Sequence, residues 1–282
     1  MRCAVLGDPI EHSLSPVLHR AAYAALGLDW SYDAVRVAAG GLAAYVAGLD
    51  EEWRGLSLTM PLKREVVPLL TSQDDWTRIS GAANSLLLDP DGGRHGLNTD
   101  VPGAEAALGE ATDSRLRGAL VLGGGATATS VLLALAERGL ERATVVVRDP
   151  ERAADTVAAV SRHPRAPGLT VITFDDLAVT TADVVVSTVP AEAQTETLLD
   201  AVREVPVVFD VVYETWPTRL VAAARAEGRT VVTGFDLLLW QAVDQVRAMT
   251  GRFDVPVDAM RAAGEAALAE RAEQHRSGGT LH

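Results

Sequence analysis

The chain has 282 residues, of which 48% are hydrophobic and 22% are charged, and its formal net charge is −13. This acidic balance argues against nonspecific binding to nucleic acids or anionic membranes, because no excess of basic residues is available to pair with phosphates. Cys3 is the only cysteine, which excludes an internal disulfide and a cysteine-based zinc site. The length predicts two domains. No apolar run reaches the length of a membrane span, and the short N-terminal apolar run is broken at residues 7–9, so we expect a cytoplasmic protein.

Short apolar runs alternate with helical patterns in the first hundred residues. The apolar runs predict strands at 2–6, 30–37 and 55–58, and the intervening segments predict helices at 15–26, 40–49 and from 59 onward. Ser15 is the predicted N-cap of the first helix, because Pro16 suits a first helical turn. Two more strands, 85–88 and 95–97, flank an Asp-Pro-Asp-Gly-Gly sequence that is typical of a β-hairpin. The pattern predicts an α/β layer with a mainly parallel sheet.

A second alternating array follows a predicted connecting helix at 101–108. Its predicted strands are 119–122, 143–147, 171–174, 183–187, 207–211 and 230–233, and its predicted helices end at 138, 161 and 227. Two helices, 235–251 and 256–273, complete the chain, and we expect the polar tail after them to be frayed.

A glycine-rich loop follows the strand 119–122. Gly123-x-Gly125-x-x-Ala128 stands between a predicted strand and a predicted helix, which is the context that a dinucleotide fingerprint requires. Glycines allow a tight turn and let backbone N–H groups approach a pyrophosphate at the helix N-terminus. The alternative is an ordinary glycine turn. The loop indicates a dinucleotide site at the start of the second array.

The end of the next strand bears on which dinucleotide is bound. An NAD site calls for an acidic residue there, whereas this chain has Val147 and Arg148, with Arg152 four residues later. Two arginines one helical turn apart can clamp a 2′-phosphate, which favours NADP. Asp149 weakens this interpretation because it could face the ribose, and the arginines could instead form an exposed surface pair.

Lys63 is the only lysine in the chain. Arginine cannot give up its proton in a protein, whereas lysine can, so a single lysine suits proton transfer beside a reacting oxygen. Asp100, like Lys63, comes just after a predicted strand, where ligands collect in parallel α/β sheets. Chance composition and a surface salt bridge are the alternatives to a catalytic pair.

Other polar residues are candidate ligands of a substrate. Ser13 and Ser15 place two hydroxyls at a predicted helix start, which suits a carboxylate, although plain N-capping explains them equally. Asn84 and Gln241 are isolated amides in small or apolar runs, and each could equally be a buried, hydrogen-bonded amide.

The motifs together resemble those of the shikimate dehydrogenase family along nearly the whole chain. The similar segments, in order, are Gly7 to Pro16, Thr59-Met60-Pro61-Leu62-Lys63, Gly81 to Ser85, Asn98-Thr99-Asp100, the glycine loop with the Arg148 region, and Gly234 to Gln241. The sequence departs from the family pattern at several positions. Ser57 replaces an asparagine, Leu62 a phenylalanine, Val147 an asparagine and Leu237 a methionine.

The resemblance implies a two-domain α/β enzyme that reduces 3-dehydroshikimate to shikimate with NADPH and no metal. It implies a substrate domain of residues 1–103 completed by 234–282, a Rossmann-type NADP domain of 104–233, and an active site in the cleft. It further implies a proton-transfer pair, Lys63 and Asp100, and substrate ligands Ser13, Ser15, Thr59, Asn84, Tyr213 and Gln241. The implied cofactor ligands are Gly123, Gly124, Gly125, Ala126, Thr127, Arg148, Arg152, Thr188, Gly234 and Leu237.

Two other functions fit the same motifs. The first is a quinate/shikimate dehydrogenase that prefers NAD, although Ser15, where a threonine could stand, favours shikimate. The second is a non-catalytic ligand sensor with the same fold, against which the retention of both Lys63 and Asp100 argues. We expect small-molecule ligands only, no nucleic acid or membrane partner, and a monomer or homodimer.

Overall fold

The computed structural model describes residues 1–213 and 216–278. These residues form two compact units. The first unit contains Met1–Thr77, Ala82–Thr99 and the chain from Gln241 onward, and the second contains Arg78–Gly81 and Asp100–Trp240. Each unit is built around one sheet with helices packed on it, so the predicted α/β class is confirmed.

The strands and helices follow the alternating order that the sequence predicts. The strands are β1 (Arg2–Gly7), β2 (Ser31–Arg36), β3 (Trp53–Leu58), β4 (Ser72–Gln73), β5 (Ser85–Leu88), β6 (Arg94–Leu97), β7 (Gly118–Leu122), β8 (Arg142–Val147), β9 (Gly168–Thr173), β10 (Val184–Ser187), β11 (Val207–Asp210) and β12 (Thr230–Thr233). The helices are α1 (Ser15–Ala25), α2 (Leu42–Ala47), α3 (Leu62–Glu65), α4 (Asp75–Ser80), α5 (Asp100–Ala111), α6 (Ala126–Glu137), α7 (Ala154–Ser161), α8 (Glu196–Ala201), α9 (Arg219–Ala226), α10 (Gly234–Thr250) and α11 (Val257–Gly278).

The sheet of the first unit is mixed, with strand order β2-β1-β3-β5-β6-β4. β1 pairs parallel with β2 and β3, whereas β5 runs antiparallel to both β3 and β6. β5 and β6 form the hairpin that the sequence predicts, and β4 extends the edge parallel to β6. The antiparallel hairpin brings the start of β5 and the end of β6 to the edge where β1 and β3 end.

The sheet of the second unit is parallel throughout, with strand order β9-β8-β7-β10-β11-β12. Counted within the unit, this is the order 3-2-1-4-5-6 of a doubly wound dinucleotide-binding fold. The order reverses between β7 and β10, and in such sheets ligands bind beyond the carboxyl ends of the strands at that point.

Helices cover both faces of each sheet, and successive side chains of β1 point to opposite faces. Ala4 and Leu6 pack with residues of α2 and α3 in one apolar cluster, while Cys3 and Val5 pack with residues of α1 and α10 in another. In the second unit, buried residues of β7, β10 and β11 pack against α8 and α9. Apolar side chains on successive strand residues therefore enter two separate cores, as expected for a sheet between helical layers.

Several helix boundaries differ from the predicted ones. Ser15 is not the N-cap of α1, because the N–H groups of Val17 and Leu18 both donate to the carbonyl of Leu14, which is therefore the N-cap. The predicted helix 151–161 is divided into a 3₁₀ turn, Pro150–Ala153, and α7. The final helix continues to Gly278 rather than ending at 273, and the rest of the predicted tail, 279–282, lies outside the described residues.

Candidate active site

The segments at one edge of the first sheet carry the polar residues that the sequence singles out. β1 and β3 are parallel and end there, and pairing of Ser57 with Ser85 and of Ser85 with Leu97 brings the start of β5 and the end of β6 to the same edge. The segments that leave or enter the sheet at this edge contain Ser13, Ser15, Thr59, Lys63, Asn84 and Thr99.

Lys63 lies in α3, directly after the turn that follows β3. The N–H of Ala83 donates to the carbonyl of Lys63 at 2.8 Å, and the N–H of Leu58 donates to the carbonyl of Asn84 at 2.7 Å. These two backbone bonds hold the segment of Lys63 beside that of Asn84, and Lys63 is only partly buried. The backbone of the lone lysine therefore lies beside the segment that contains Asn84.

Asn84 and Gln241 are hydrogen-bonded to each other. Asn84 Nδ2 donates to Gln241 Oε1 at 3.2 Å, and Asn84 Oδ1 accepts the N–H of Thr99 at 2.9 Å and the hydroxyl of Ser85 at 3.0 Å. Asn84 is 2% exposed and Gln241 6% exposed. Two donors on one oxygen fix the orientation of the Asn84 amide, and its nitrogen in turn orients Gln241.

Ser13 and Ser15 lie together at the start of α1. Ser13 Oγ accepts the N–H of Ser15 at 3.3 Å, so Ser13 satisfies a backbone donor at the start of the helix. Ser15 is buried, with 5% of its surface exposed. Thr59 follows β3, and its methyl group fills the space in which a Cβ on Gly7 would stand, 2.3 Å away. The loops after β1 and β3 are thus in direct contact.

Asp100 and Tyr213 belong to the second unit. Asp100 is the first residue of α5 and is 5% exposed, and it follows Thr99 directly in the chain. Tyr213 is half-buried and comes three residues after Asp210 at the end of β11. The pairing of Lys63 with Asp100 and the contact of Tyr213 with substrate remain predictions.

Asp210 was not predicted, and it fixes the segment that leads to Tyr213. Its carboxylate accepts the hydroxyl of Thr218 at 2.6 Å, the amide N–H of Gln194 at 2.8 Å and the N–H of Val212 at 3.2 Å. The side chain is fully buried, and this burial raises the pKa of Asp210. An aspartate at the end of an otherwise apolar strand is the sequence signal for such an anchor.

The glycine loop lies at the switch point of the second sheet. Gly123 has φ 106°, and a Cβ on it would stand 2.3 Å from Thr188 Oγ1, which donates to the carbonyl of Leu122 at 2.9 Å. A side chain is therefore excluded at Gly123 both by backbone conformation and by space. Gly125 is the N-cap of α6 and supplies no side-chain acceptor to the first turn. Backbone N–H groups and the helix dipole suit a pyrophosphate there.

In the segment after β8, the acidic residue is bonded to the backbone, whereas the arginines on either side of it are exposed. The Asp149 carboxylate accepts the N–H of Glu151 at 3.0 Å and so caps the 3₁₀ turn that contains Arg152. Arg148 and Arg152 are both exposed, and within residues 1–213 and 216–278 their guanidinium groups form no ion pair. This arrangement favours a 2′-phosphate over a ribose 2′-hydroxyl, because the acid already has a backbone partner.

The start of α10 completes the carboxyl edge of the second sheet. A Cβ on Gly234 would stand 2.1 Å from the carbonyl oxygen of Val211, so only glycine allows the helix to begin so close to the end of β11. Leu237 lies one turn later and is 6% exposed. The remaining predicted cofactor residues, Gly124, Ala126 and Thr127, lie in the glycine loop and the first turn of α6.

Metal sites and membrane spans were searched over the described residues only. There, no group of three or more His, Cys, Asp or Glu side chains could hold a metal ion. Over the same residues, no helix has both the length and the apolar character needed to cross a membrane.

A doubly wound sheet with a glycine loop at its switch point, joined to an α/β unit with a buried polar cluster, defines a two-domain NAD(P)-dependent oxidoreductase. Comparison with known proteins gives the family. Residues 5–86 match the family model "Shikimate dehydrogenase substrate binding domain", and residues 119–212 match "NADP oxidoreductase coenzyme F420-dependent".

Full-length relatives extend the match over nearly the whole chain. Shikimate dehydrogenase (NADP(+)) of Moorella thermoacetica is 35% identical over 91% of this chain and 90% of its own. The crystal structure of Mycobacterium tuberculosis shikimate dehydrogenase has 38% identity and a TM-score of 0.85, covering 94% of this chain and 99% of that one. Quinate dehydrogenase from Corynebacterium glutamicum in complex with NAD has 27% identity and the same TM-score and coverage. The chain belongs to the shikimate dehydrogenase family.

Proposed function

We propose that the chain is an NADP-dependent shikimate dehydrogenase, which reversibly reduces 3-dehydroshikimate to shikimate in aromatic amino acid biosynthesis. In this proposal the first unit binds the substrate and the second binds NADP(H). The observation that carries the assignment is the convergence of Ser13, Ser15, Thr59, Lys63 and Asn84 on one edge of the first sheet, in a chain that matches a shikimate dehydrogenase over 91% of its length.

We assign substrate binding to hydroxyl and amide groups of the first unit. The hydroxyls of Ser13 and Ser15, at the start of α1, would bind the ring carboxylate, since hydroxyl donors beside a helix N-terminus favour an anion. Thr59, Asn84 and Gln241 would bind the ring hydroxyls. The fixed orientation of the Asn84 amide supports this role, because a preordered donor and acceptor discriminate between polar groups of a ligand.

Lys63 and Asp100 are proposed to move the proton. In the reducing direction the C3 carbonyl carbon gains a hydride and its oxygen gains a proton. The Lys63 ammonium would stabilise the negative charge growing on that oxygen and donate the proton to it. The Asp100 carboxylate would hold the ammonium in place, and Tyr213 would contact the same substrate. In the reverse direction the same two residues would take the proton from the substrate hydroxyl.

The second unit fits a dinucleotide, and the fit rests on the loop with Gly123 and Gly125 and on the two exposed arginines. When bound, NADPH supplies the hydride, so no metal is required. Backbone N–H groups at the start of α6 would hold the pyrophosphate, with Thr188 beside the loop. Arg148 and Arg152 would bind the 2′-phosphate, and Gly234 and Leu237 would complete the cofactor site.

A matrix of shikimate and quinate against NADP and NAD tests this function. We expect fastest turnover of shikimate with NADP, followed at the NADPH absorbance band. Faster turnover of quinate with NAD would support the quinate dehydrogenase alternative, which the likeness to an NAD-bound quinate dehydrogenase motivates. Binding of shikimate without any absorbance change would support a ligand sensor.

We further propose that the enzyme acts in the cytoplasm, where NADP-dependent biosynthesis draws on the NADPH pool, as a monomer or homodimer without nucleic-acid or membrane partners. Light scattering of the purified chain distinguishes the two oligomeric states, and a higher assembly would contradict both.

A further inference from the structure

A set of buried polar side chains lies beneath the proposed substrate site, and α10 contributes its central member, Gln245. All belong to the first unit and are 3% exposed or less. They are referred to as the Gln245 network and comprise His19, Tyr32, Ser57, Ser85 and Gln245.

Gln245 Oε1 accepts two hydrogen bonds from one side of the network. Ser57 Oγ donates to it at 2.8 Å, and His19 Nε2 lies 3.2 Å away. The hydroxyl of Tyr32 donates to Ser57 Oγ at 2.6 Å, and the ring of Tyr32 stacks on that of His19 with centroids 3.9 Å apart. Ser57 is thus hydrogen-bonded on both sides, which gives a structural reason for serine where the family pattern has asparagine.

The other side of Gln245 leads to the amides of the site. Gln245 Nε2 donates to Ser85 Oγ at 3.0 Å and to the carbonyl of Asn84 at 3.3 Å. Ser85 Oγ then donates to Asn84 Oδ1 at 3.0 Å, and Asn84 Nδ2 donates to Gln241 Oε1 at 3.2 Å. Gln241 and Gln245 are four residues apart on α10 and therefore face the same side of the helix.

The network ends at the hydroxyl of Tyr32, which donates to Ser57 Oγ. One continuous series of buried hydrogen bonds therefore connects Tyr32, in β2, to Asn84 and Gln241. Because the side chains between these ends each have a partner on both sides, their donor and acceptor directions are mutually determined.

His19 makes the direction of the series definite. Its burial lowers the pKa of His19 to about 3, so the imidazole is neutral at working pH. A neutral ring donates from one nitrogen only, and Nε2 faces an amide oxygen, so Nε2 carries the proton. Nδ1 is then the acceptor, and the Tyr23 hydroxyl lies 3.4 Å from it.

We infer that Gln245 is a positioning residue for the substrate site: held by Ser57 on one side, it sets the orientation of Asn84 and, through it, of Gln241 on the other. Gln245 itself does not touch the substrate. The inference rests on the proposed function, since it assumes that Asn84 and Gln241 bind shikimate. Its effect should appear in binding of shikimate, because these residues hold the ring in the ground and transition states alike.

The test compares Gln245→Met with wild type in steady-state kinetics. Methionine keeps the length of the side chain and removes all its polar contacts. We expect KM for shikimate to rise about 10-fold, as for the loss of one or two buried hydrogen bonds, with kcat and KM for NADP within about 2-fold. Tyr32→Phe keeps the stacked ring and removes only the hydroxyl, and it should raise KM for shikimate about 3- to 10-fold. The double variant should be less than additive, because both changes interrupt one series of bonds.

Val246→Ala is the matched control. Val246 is the next residue on α10, is fully buried and is apolar, so its truncation loosens packing without changing the network. We expect a lower thermal midpoint with KM for shikimate unchanged. If Gln245→Met and Val246→Ala changed KM alike, or if Gln245→Met and Tyr32→Phe left KM for shikimate unchanged, Gln245 would have no positioning role.

Failure of the proposed function gives a different result. If wild type turned over no shikimate with NADP, the same variants would be compared by calorimetric titration with shikimate. Weaker binding by Gln245→Met than by Val246→Ala would retain the positioning role, and a wild type that does not bind shikimate would overturn both proposals.

Discussion

Replacement of Arg148 and Arg152 by alanine tests how the second unit selects its cofactor. Both side chains are exposed at the end of β8 and in the 3₁₀ turn after it, and the intervening Asp149 is occupied by capping the N–H of Glu151. In the proposed function, these arginines bind the 2′-phosphate that distinguishes NADP from NAD. The substitutions should therefore act on one cofactor and not on the other.

The size of the effect follows from exposure. A hydrogen bond to a charged group contributes about 1.5–3 kcal/mol, and the lower end applies here because both guanidinium groups are open to solvent and to screening by salt. About 1.4 kcal/mol corresponds to a tenfold change. Arg148→Ala should thus raise KM for NADP roughly 10-fold, and the double variant roughly 100-fold, with both effects smaller at high ionic strength.

The assay is the initial rate at saturating shikimate while NADP or NAD is varied. Arg203→Ala is the matched control, since it removes an equal charge from another exposed position of the same unit. We expect KM for NAD to change less than about 2-fold in every variant, because NAD lacks the phosphate that the arginines would bind. An equal rise for both cofactors, or an effect of Arg203→Ala as large as that of Arg148→Ala, would refute the assignment.

Three further outcomes are expected. Lys63→Ala should lower kcat by roughly 10²–10⁴ and Lys63→Arg should not restore it, as single-turnover rates would show, and near-normal rates would remove Lys63 from the mechanism. Gly123→Ala should lower the thermal midpoint by several degrees, since a strained φ costs about 1–3 kcal/mol and its Cβ would meet Thr188, whereas Gly125→Ala, with no atom within 4 Å, should not. Between pH 6.5 and about 3, His19 is protonated in the unfolded chain but not in the folded one. The free energy of unfolding should therefore decrease as the pH is lowered through this range. The contribution of His19 to this decrease is about 2 kcal/mol at pH 5. His19→Gln should lack that contribution when its urea unfolding is compared with that of wild type at several pH values.

Local sequence patterns predicted the structure correctly where the backbone conformation requires one particular residue type. The glycine loop is an example, because Gly123 must be glycine for conformational and steric reasons that its place between a strand and a helix already indicates. The hairpin of β5 and β6 is another, since its turn residues have few alternatives. Elements of two to six residues, namely β4, α4 and α8, escaped prediction because they are too short to establish a period.

The Gln245 network could not be predicted from the sequence, for a different reason. Its members are separated by up to 226 residues, as in the pair His19 and Gln245, and each sits in a run where a buried polar side chain has no local signature. Only tertiary pairing of β3 with β5, and packing of α10 on them, brings these groups within hydrogen-bond distance. One signal was available, since Gln245 repeats the glutamine of Gln241 at helical spacing.

Overall fold does not decide between shikimate and quinate as substrate, because a shikimate dehydrogenase and a quinate dehydrogenase match this chain with the same TM-score. The decision lies with individual side chains. An extra hydroxyl near the ring carboxylate needs a hydrogen-bond partner, and Ser13 Oγ, which accepts the N–H of Ser15, has a single proton to donate. A buried hydroxyl without a partner costs about 1–3 kcal/mol, or roughly 5- to 150-fold in affinity. If Ser13 donates its proton to the carboxylate, as proposed, none is left for the extra hydroxyl of quinate, and we therefore expect shikimate to be preferred.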